Sequence, residues 1–173
     1  MRKPRQLHPG ARYHIGARIN NKDFFLEPDS MKELFLSVLR KAKQKFDFEI
    51  ENFCIMGNHY HLILKPGVNT NLSRLMQWIM SVFASTYNRN TGHSGHVWGE
   101  RFFSRILGSL TDYLKVFDYI DQNPVLSGLV NEPAAWKYGG FWHFLHAKTD
   151  LLLSLPIVIP IAFKRYRRYL LNT

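Results

Sequence analysis

One cysteine, Cys54, in 173 residues excludes an intrachain disulfide and leaves no pair of thiolates for a closed structural zinc site. Nothing argues for an oxidising compartment, so a reduced cytoplasm is the expected setting. Long apolar runs are missing too. The most hydrophobic stretch, residues 151–163, is broken by Ser154, Pro156 and Pro160 and is shorter than the roughly 18 to 20 residues a spanning helix needs. No membrane partner is expected. The opening Met1-Arg2-Lys3-Pro4-Arg5-Gln6 is basic but leads into no apolar signal core, which argues against secretion. Acidic residues are scarce: thirteen Asp and Glu stand against twenty-three Lys and Arg, a formal net charge of +10. Such an excess favours polyanionic partners, although solvated lysines are the blander explanation.

What is present suffices for one domain, because 46% hydrophobic residues can build a core and no repeat or low-complexity segment interrupts them. Residues 12–20 read as a strand. Asp29-Ser30 can cap a helix over 31–46 with Leu34, Phe35, Val38 and Leu39 facing inward. Residues 48–56 are rich in β-formers, and Gly57-Asn58 turns the chain into a second strand of the same hairpin. Asn71 can cap a long helix carrying Leu72, Leu75, Met76, Ile79 and Phe83 at helical spacing, ending near Asn90. Residues 101–107 read as a fourth strand. This βαββαβ order predicts an α+β, ferredoxin-like sandwich, with helices on one face of an antiparallel sheet and the other face or one end free for chemistry.

The most informative stretch is Met56-Gly57-Asn58-His59-Tyr60-His61-Leu62-Ile63-Leu64. If Tyr60, Leu62 and Leu64 face a core, strand alternation puts His59 and His61 side by side on the opposite face. Two imidazoles there are half of a metal site that needs oxygen ligands from elsewhere, or a pair bonded to core polar groups. Residues 111–125 read as a helix capped by Thr111, with Asp112 in its first turn and Pro124 ending it. Tyr113, Val116, Phe117 and Ile120 form its buried stripe. Tyr119 and Asn123, four residues apart, share a face at the border of that stripe. A phenol there can serve as a nucleophile and the amide oxygen as a hard ligand.

These residues carry a resemblance. The MGNHYHLIL strand, the Gly95–Phe103 segment containing Val97-Trp98-Gly99-Glu100-Arg101-Phe102, and Asp118-Tyr119-Ile120-Asp121-Gln122-Asn123-Pro124-Val125 resemble the HUH single-strand transposases, and within them the REP-associated tyrosine transposases. Pro9-Gly10-Ala11-Arg12-Tyr13-His14 fits the family's first strand, and the likeness runs over 9–144. It implies His59 and His61 as metal ligands, Tyr119 as the nucleophile and Asn123 as the third protein ligand. Two nitrogens and an amide oxygen without thiolate suit Mg²⁺ or Mn²⁺. Tyr60 between the histidines departs from a purely aliphatic residue, and the family pattern assigns no role to Asp121 or Gln122. The related insertion-sequence enzymes act as dimers sharing sites and the REP-associated branch as monomers, so a monomer or homodimer is expected.

The expected activity is cleavage and rejoining of single-stranded or hairpin DNA through a 5′-phosphotyrosine, by a catalytic domain over 9–130. A C-terminal extension over 131–173 follows. The cellular setting is then cytoplasmic and nucleoid-associated. Arg101, Phe103 and Arg105 alternate on one strand face and can offer guanidinium groups to phosphates, and Lys164, Arg165, Arg167 and Arg168 form a basic, aromatic cluster with the same capacity. Tyr60, Tyr87 and Tyr113 compete with Tyr119 for the nucleophile's role, and Tyr113 fits a core residue. His14, His93, His96, His143 and His146 read as structural. Two rivals stand beside this reading. One is a domesticated, catalytically idle DNA-hairpin binder, the other a metal-dependent nuclease whose nucleophile is water.

Overall fold

The computed structural model describes residues 8, 10–148, 150–152, 156 and 158–171, with side chains to Arg168. The basic opening, Pro9, part of the 151–163 run and the Tyr169 side chain lie outside the described residues. Four strands form one sheet: β1 (Tyr13–Arg18), β2 (Phe48–Ile55), β3 (His59–Pro66) and β4 (Phe103–Ile106). Their order is β2-β3-β1-β4 with every pairing antiparallel, the ferredoxin-like arrangement expected from the element order. Helices α1 (Asp29–Lys45) and α2 (Leu72–Thr91) cover one face. Among the described residues no helix is long and apolar enough to cross a membrane.

The alternation argued for β3 is the observed one. Tyr60, Leu62 and Leu64 join Phe35, Leu39, Leu75, Ile79 and Phe83 in the first core. Tyr60 lies with its ring 4.6 Å from Phe35 and 5.5 Å from Trp98, which accounts for an aromatic residue between the two histidines: it fills core, on the far side of the sheet from them.

Three helix ends differ from the sequence expectation. α1 begins at Asp29 behind Pro28, which makes no side-chain cap, so Asp29 acts in the first turn. Asn71 does cap α2, accepting from Arg74 N at 3.0 Å, and Gly92 closes it with φ +69. α3 (Leu110–Leu126) is capped by Ser109 rather than Thr111, its hydroxyl 3.1 Å from Asp112 N. Pro124 sits inside α3 instead of ending it. It lies in the last turn, where its missing N–H removes only one helical bond.

The second face of the sheet is less open than the element order suggested. α3 lies against β2 and β3, and Tyr113, Val116, Phe117 and Ile120 pack on Cys54, Met56 and Ile63. Described residues beyond 130 enter both cores: Tyr138 and Leu151 join the first, while Phe141 from α4 (Gly140–Leu145), Ile159 from α5 (Val158–Ala162) and Tyr166 from α6 (Lys164–Leu171) join the second. Among the described residues, a groove stays open beside β1 and β4, bordered by the exposed Arg18 and Phe103.

The join between α3, the sheet and α6 is polar and buried. Asp121 accepts hydrogen bonds from Asn52 Nδ2 at 2.9 Å, Arg165 at 2.8 Å and the Tyr166 hydroxyl at 2.9 Å. Arg165 also reaches Asp118 at 2.7 Å. Its guanidinium is therefore turned inward, away from the outward-facing Lys164, Arg167 and Arg168 with which it was grouped as a DNA contact. Removing one partner of such a pair strands the other: Arg165→Ala should lower the unfolding free energy by about 3 kcal/mol, whereas Arg167→Ala, being exposed, should stay within about 0.5 kcal/mol. Urea unfolding of the two variants measures this, and equal effects would remove the anchoring role.

Candidate active site

Cross-strand register assembles the site. Arg18 lies opposite His59, Gly16 opposite His61 and His14 opposite Ile63, while on the other side of β1 Phe103 faces Gly16 and Arg105 faces His14. Directly opposed residues share a face, so these side chains line the second face together. Gly16 is small for a reason. A Cβ there would meet His61 Nδ1 at 3.1 Å and the Tyr60 carbonyl at 3.2 Å, tighter than ordinary contact, so a side chain would crowd the imidazole.

Each imidazole is held through Nδ1. Asn58 Oδ1 lies 2.7 Å from His59 Nδ1 and can only accept, which puts the hydrogen on Nδ1 and leaves the Nε2 lone pair free. That Nε2 faces Asn123 Oδ1 at 3.3 Å, lone pair toward lone pair. His61 Nδ1 lies 3.1 Å from His14 Nε2, and its own Nε2 is 3.4 Å from the Tyr119 hydroxyl. The rings of His59 and His61 are 5.1 Å apart, and that of Tyr119 is 5.2 Å from His61.

The four residues singled out for chemistry, Tyr119, His59, His61 and Asn123, thus converge at one place although 58 positions separate His61 from Tyr119 and 64 separate His59 from Asn123. Tyr119 is 43% exposed, while Tyr60, Tyr87 and Tyr113 are buried. Sequence reasoning passed over His14 and Asn58. Both act on the ring nitrogens that face away from Asn123 and Tyr119, and only the β1–β3 register, invisible without the fold, brings His14 to His61.

Among the described residues no group of three His, Cys, Asp or Glu is placed to hold a metal ion, so a cation here would need an amide oxygen. The donor set fits one. Two acceptors that cannot bond each other, 3.3 Å apart, match the separation of about 3 Å between neighbouring ligands of an octahedral ion. The imidazoles are neutral, as ligands must be. Burial, aided by His59, His14 and Arg18, pulls His61 down to about 3. Burial and Arg105 pull His14 to about 4, and burial lowers His59 despite Asn123.

A groove of about 770 Å³ opens beside the histidines, lined by Arg18, Asn20, Lys22, Arg101 and Phe103, with Glu100 also on its wall. Of the arginines expected to meet phosphate, Arg101 lines this groove. Arg105 instead bonds Asp112 on α3 at 2.8 Å, a partly exposed pair. Phe103 is 53% exposed, its ring edge-on to His14 at 5.6 Å.

Comparison with known proteins places the chain in a family. The family model described as "Transposase IS200 like" matches residues 8–123, more than half of the chain and the span that holds every residue of the site. The chain belongs to the IS200-like transposase family. A Haemophilus influenzae protein, provisionally named a REP-associated tyrosine transposase, is 25% identical over 117 residues, which cover 62% of this chain and 66% of that protein. The chain thus spans just under two thirds of that relative. Among solved structures, a REP-associated tyrosine transposase bound to a REP hairpin superposes with a TM-score of 0.71 at 20% identity, covering 90% of this chain and 94% of the other. A provisionally named transposase from Deinococcus radiodurans gives 0.51 at 16% identity, covering 70% and 97%. These two likenesses establish the shared fold of the IS200-like chain.

The depressed histidines make stability depend on pH. Neutral in the folded state and near 6.5 when unfolded, His14 and His61 bind more protons in the unfolded chain below that pH. Their contribution is fully present above about 6.5 and is lost as pH falls toward 4 and then 3. Denaturant midpoints should therefore drop steadily from pH 7 to pH 4, and His14→Phe should flatten that slope. An unchanged slope in the variant would contradict the assignment.

Proposed function

We propose that this chain is a metal-dependent tyrosine transposase that cleaves and rejoins single-stranded or hairpin DNA through a 5′-phosphotyrosine. The observation that carries this is the meeting of the Tyr119 hydroxyl with His61 Nε2, next to the paired acceptors of His59 and Asn123, in a chain of the IS200-like family. The hairpin-bound structural neighbour supports hairpin DNA as the partner.

The phenolic oxygen of Tyr119 attacks the scissile phosphorus. An O–P bond forms, the P–O3′ bond breaks, and the proton given up by the phenol ends on the departing 3′-oxygen. The 5′ side of the DNA stays on the protein as an ester that keeps the energy of the broken link, so another 3′-hydroxyl can reverse the step without a nucleotide cofactor. His59 Nε2, His61 Nε2 and Asn123 Oδ1 would hold Mg²⁺ or Mn²⁺, which when bound polarises a non-bridging phosphate oxygen. His14 and Asn58 keep the two imidazoles in the tautomer and orientation this needs. Arg18 and Arg101 place cationic groups beside the phosphate, and Lys164, Arg167 and Arg168 offer further backbone contacts. Tyr119 and His61 come from the same chain, which supports action as a monomer.

End-labelled hairpin DNA with a flanking single strand, incubated with Mn²⁺ and run on a denaturing gel, should give a covalent protein adduct. Tyr119→Phe should lose the adduct while still binding DNA; continued cleavage at a comparable rate would make water the nucleophile. In titration calorimetry, His59→Ala and His61→Ala should weaken Mn²⁺ binding by more than about tenfold, and Asn123→Ala by less. Unchanged affinity in the histidine variants would put the metal elsewhere.

A further inference from the structure

The turn Asn20–Lys22 at the end of β1 is built in a way its role as a connection does not require. Asn21 and Lys22 have φ of +52 and +62, two successive left-handed residues, neither of them glycine. Asparagine tolerates this region and lysine rarely enters it. The turn is held there from three sides: Asn20 N donates to the Val97 carbonyl at 2.9 Å, Lys22 N to Ile19 at 3.2 Å, and Asn58 Nδ2 to the Lys22 carbonyl at 3.2 Å. Asn58 is the residue whose Oδ1 holds His59. One amide therefore locks the turn and the ligand strand into a single rigid frame.

The side chains so presented have no partner of their own. Asn21 and Lys22 are exposed, and neither makes a side-chain hydrogen bond or ion pair among the described residues. Asn20, Asn21 and Lys22 line the groove that starts at His59 and His61, and Arg18, Arg101 and the exposed ring of Phe103 line it with them. At about 770 Å³ it falls within the range of pockets that enclose small organic ligands. Its cations fit phosphate, its aromatic ring fits a base face, and asparagine amides, with one donor and one acceptor side, fit the edge of a base. Strained backbone that the surroundings hold in place is a mark of ligand-contacting segments.

We propose that Asn20 and Asn21 are specificity-determining residues that read the edges of one or two unpaired nucleobases next to the scissile phosphate, while Arg18, Lys22 and Arg101 hold the phosphates of the same strand. This rests on the strand-transferase reading only for which phosphate lies nearby. Because the turn shares Asn58 with His59, a base bound on it is fixed in distance from the reacting centre, so recognition also sets the cleavage point.

Asn21→Gly tests it cleanly, since glycine adopts the left-handed conformation and only the amide is lost. Fluorescence anisotropy is read on hairpins whose flanking nucleotides are changed one at a time. The wild type should discriminate by about tenfold or more at one or two flanking positions. In Asn21→Gly, or in Asn20→Ala, discrimination at one of them should fall to about twofold or less, with affinity for the bare hairpin unchanged. Lys22→Gln should weaken all these DNAs alike and reduce the salt slope by about 1. Wild-type selectivity in both asparagine variants, or no positional selectivity in the wild type, would overturn the proposal. Adduct formation is scored separately. An adduct with unaltered selectivity in the variants rejects the reading turn alone, and lost selectivity without any adduct rejects the transferase and leaves the turn.

Discussion

The carboxylate of Asp121 is the constraint on which the site depends. A buried carboxylate is tolerated only when donors surround it, and Asp121 draws them from two different elements, Asn52 on β2 and Arg165 with Tyr166 on α6. Asn52 is itself fixed. Its Oδ1 accepts from Phe53 N at 2.8 Å and its Nδ2 also reaches the Phe117 carbonyl at 3.3 Å, beside the irregularity that breaks β2–β3 pairing between Ile50 and Asn52. Satisfying one charge thereby clamps α3 between the sheet and the last helix. Tyr119 lies two residues before the clamp and Asn123 two after it, so the same anchor sets both over His59 and His61.

A second constraint follows from α3 covering part of the sheet's second face. Partial burial beside α3 makes the charged imidazole unfavourable and keeps His14 and His61 neutral, and neutral imidazole is the form that offers a lone pair. The surrounding charge acts in the same direction, since Arg18 and Arg105 oppose protonation of the histidines while they favour an anionic strand. Electrostatics that would be unfavourable for a histidine cation favours an anionic partner at this face.

Much of this was legible in the sequence wherever local chemistry decides. Alternation in β3 gives the histidine face, Asn71 marks the start of α2, and the element order gives the sheet. The spacing of Tyr119 and Asn123 gives one helix face. What was not legible depends on partners distant in the chain. Arg165 looks like its basic neighbours until α3 supplies Asp118 and Asp121 across more than forty residues, and His14 looks structural until the β1–β3 register sets it against His61. Ser109 and Thr111 are equally good caps on paper. In the structure the Ser109 hydroxyl takes the Asp112 N–H, and Tyr113 and Phe117 from the turns that follow enter the second core. Pro124 stops a helix only if the chain has somewhere better to go, and here Ser127 N still closes on the Asn123 carbonyl at 3.1 Å.

The clamp also bears on how the tyrosine is delivered. To lend α3 to a second copy, a chain would have to break the bonds from Asn52 to Asp121 and from α6 to Asp118 and Asp121, or carry α6 along with the helix and leave Phe141 and Cys54 without Tyr166 and Phe117 over them. Either route exposes apolar surface and strands a buried charge, costs of several kcal/mol that a contact at the surface does not return. The packing of α6 therefore ties Tyr119, the proposed nucleophile, to the histidines of its own chain, and described residues after 130 help to position it.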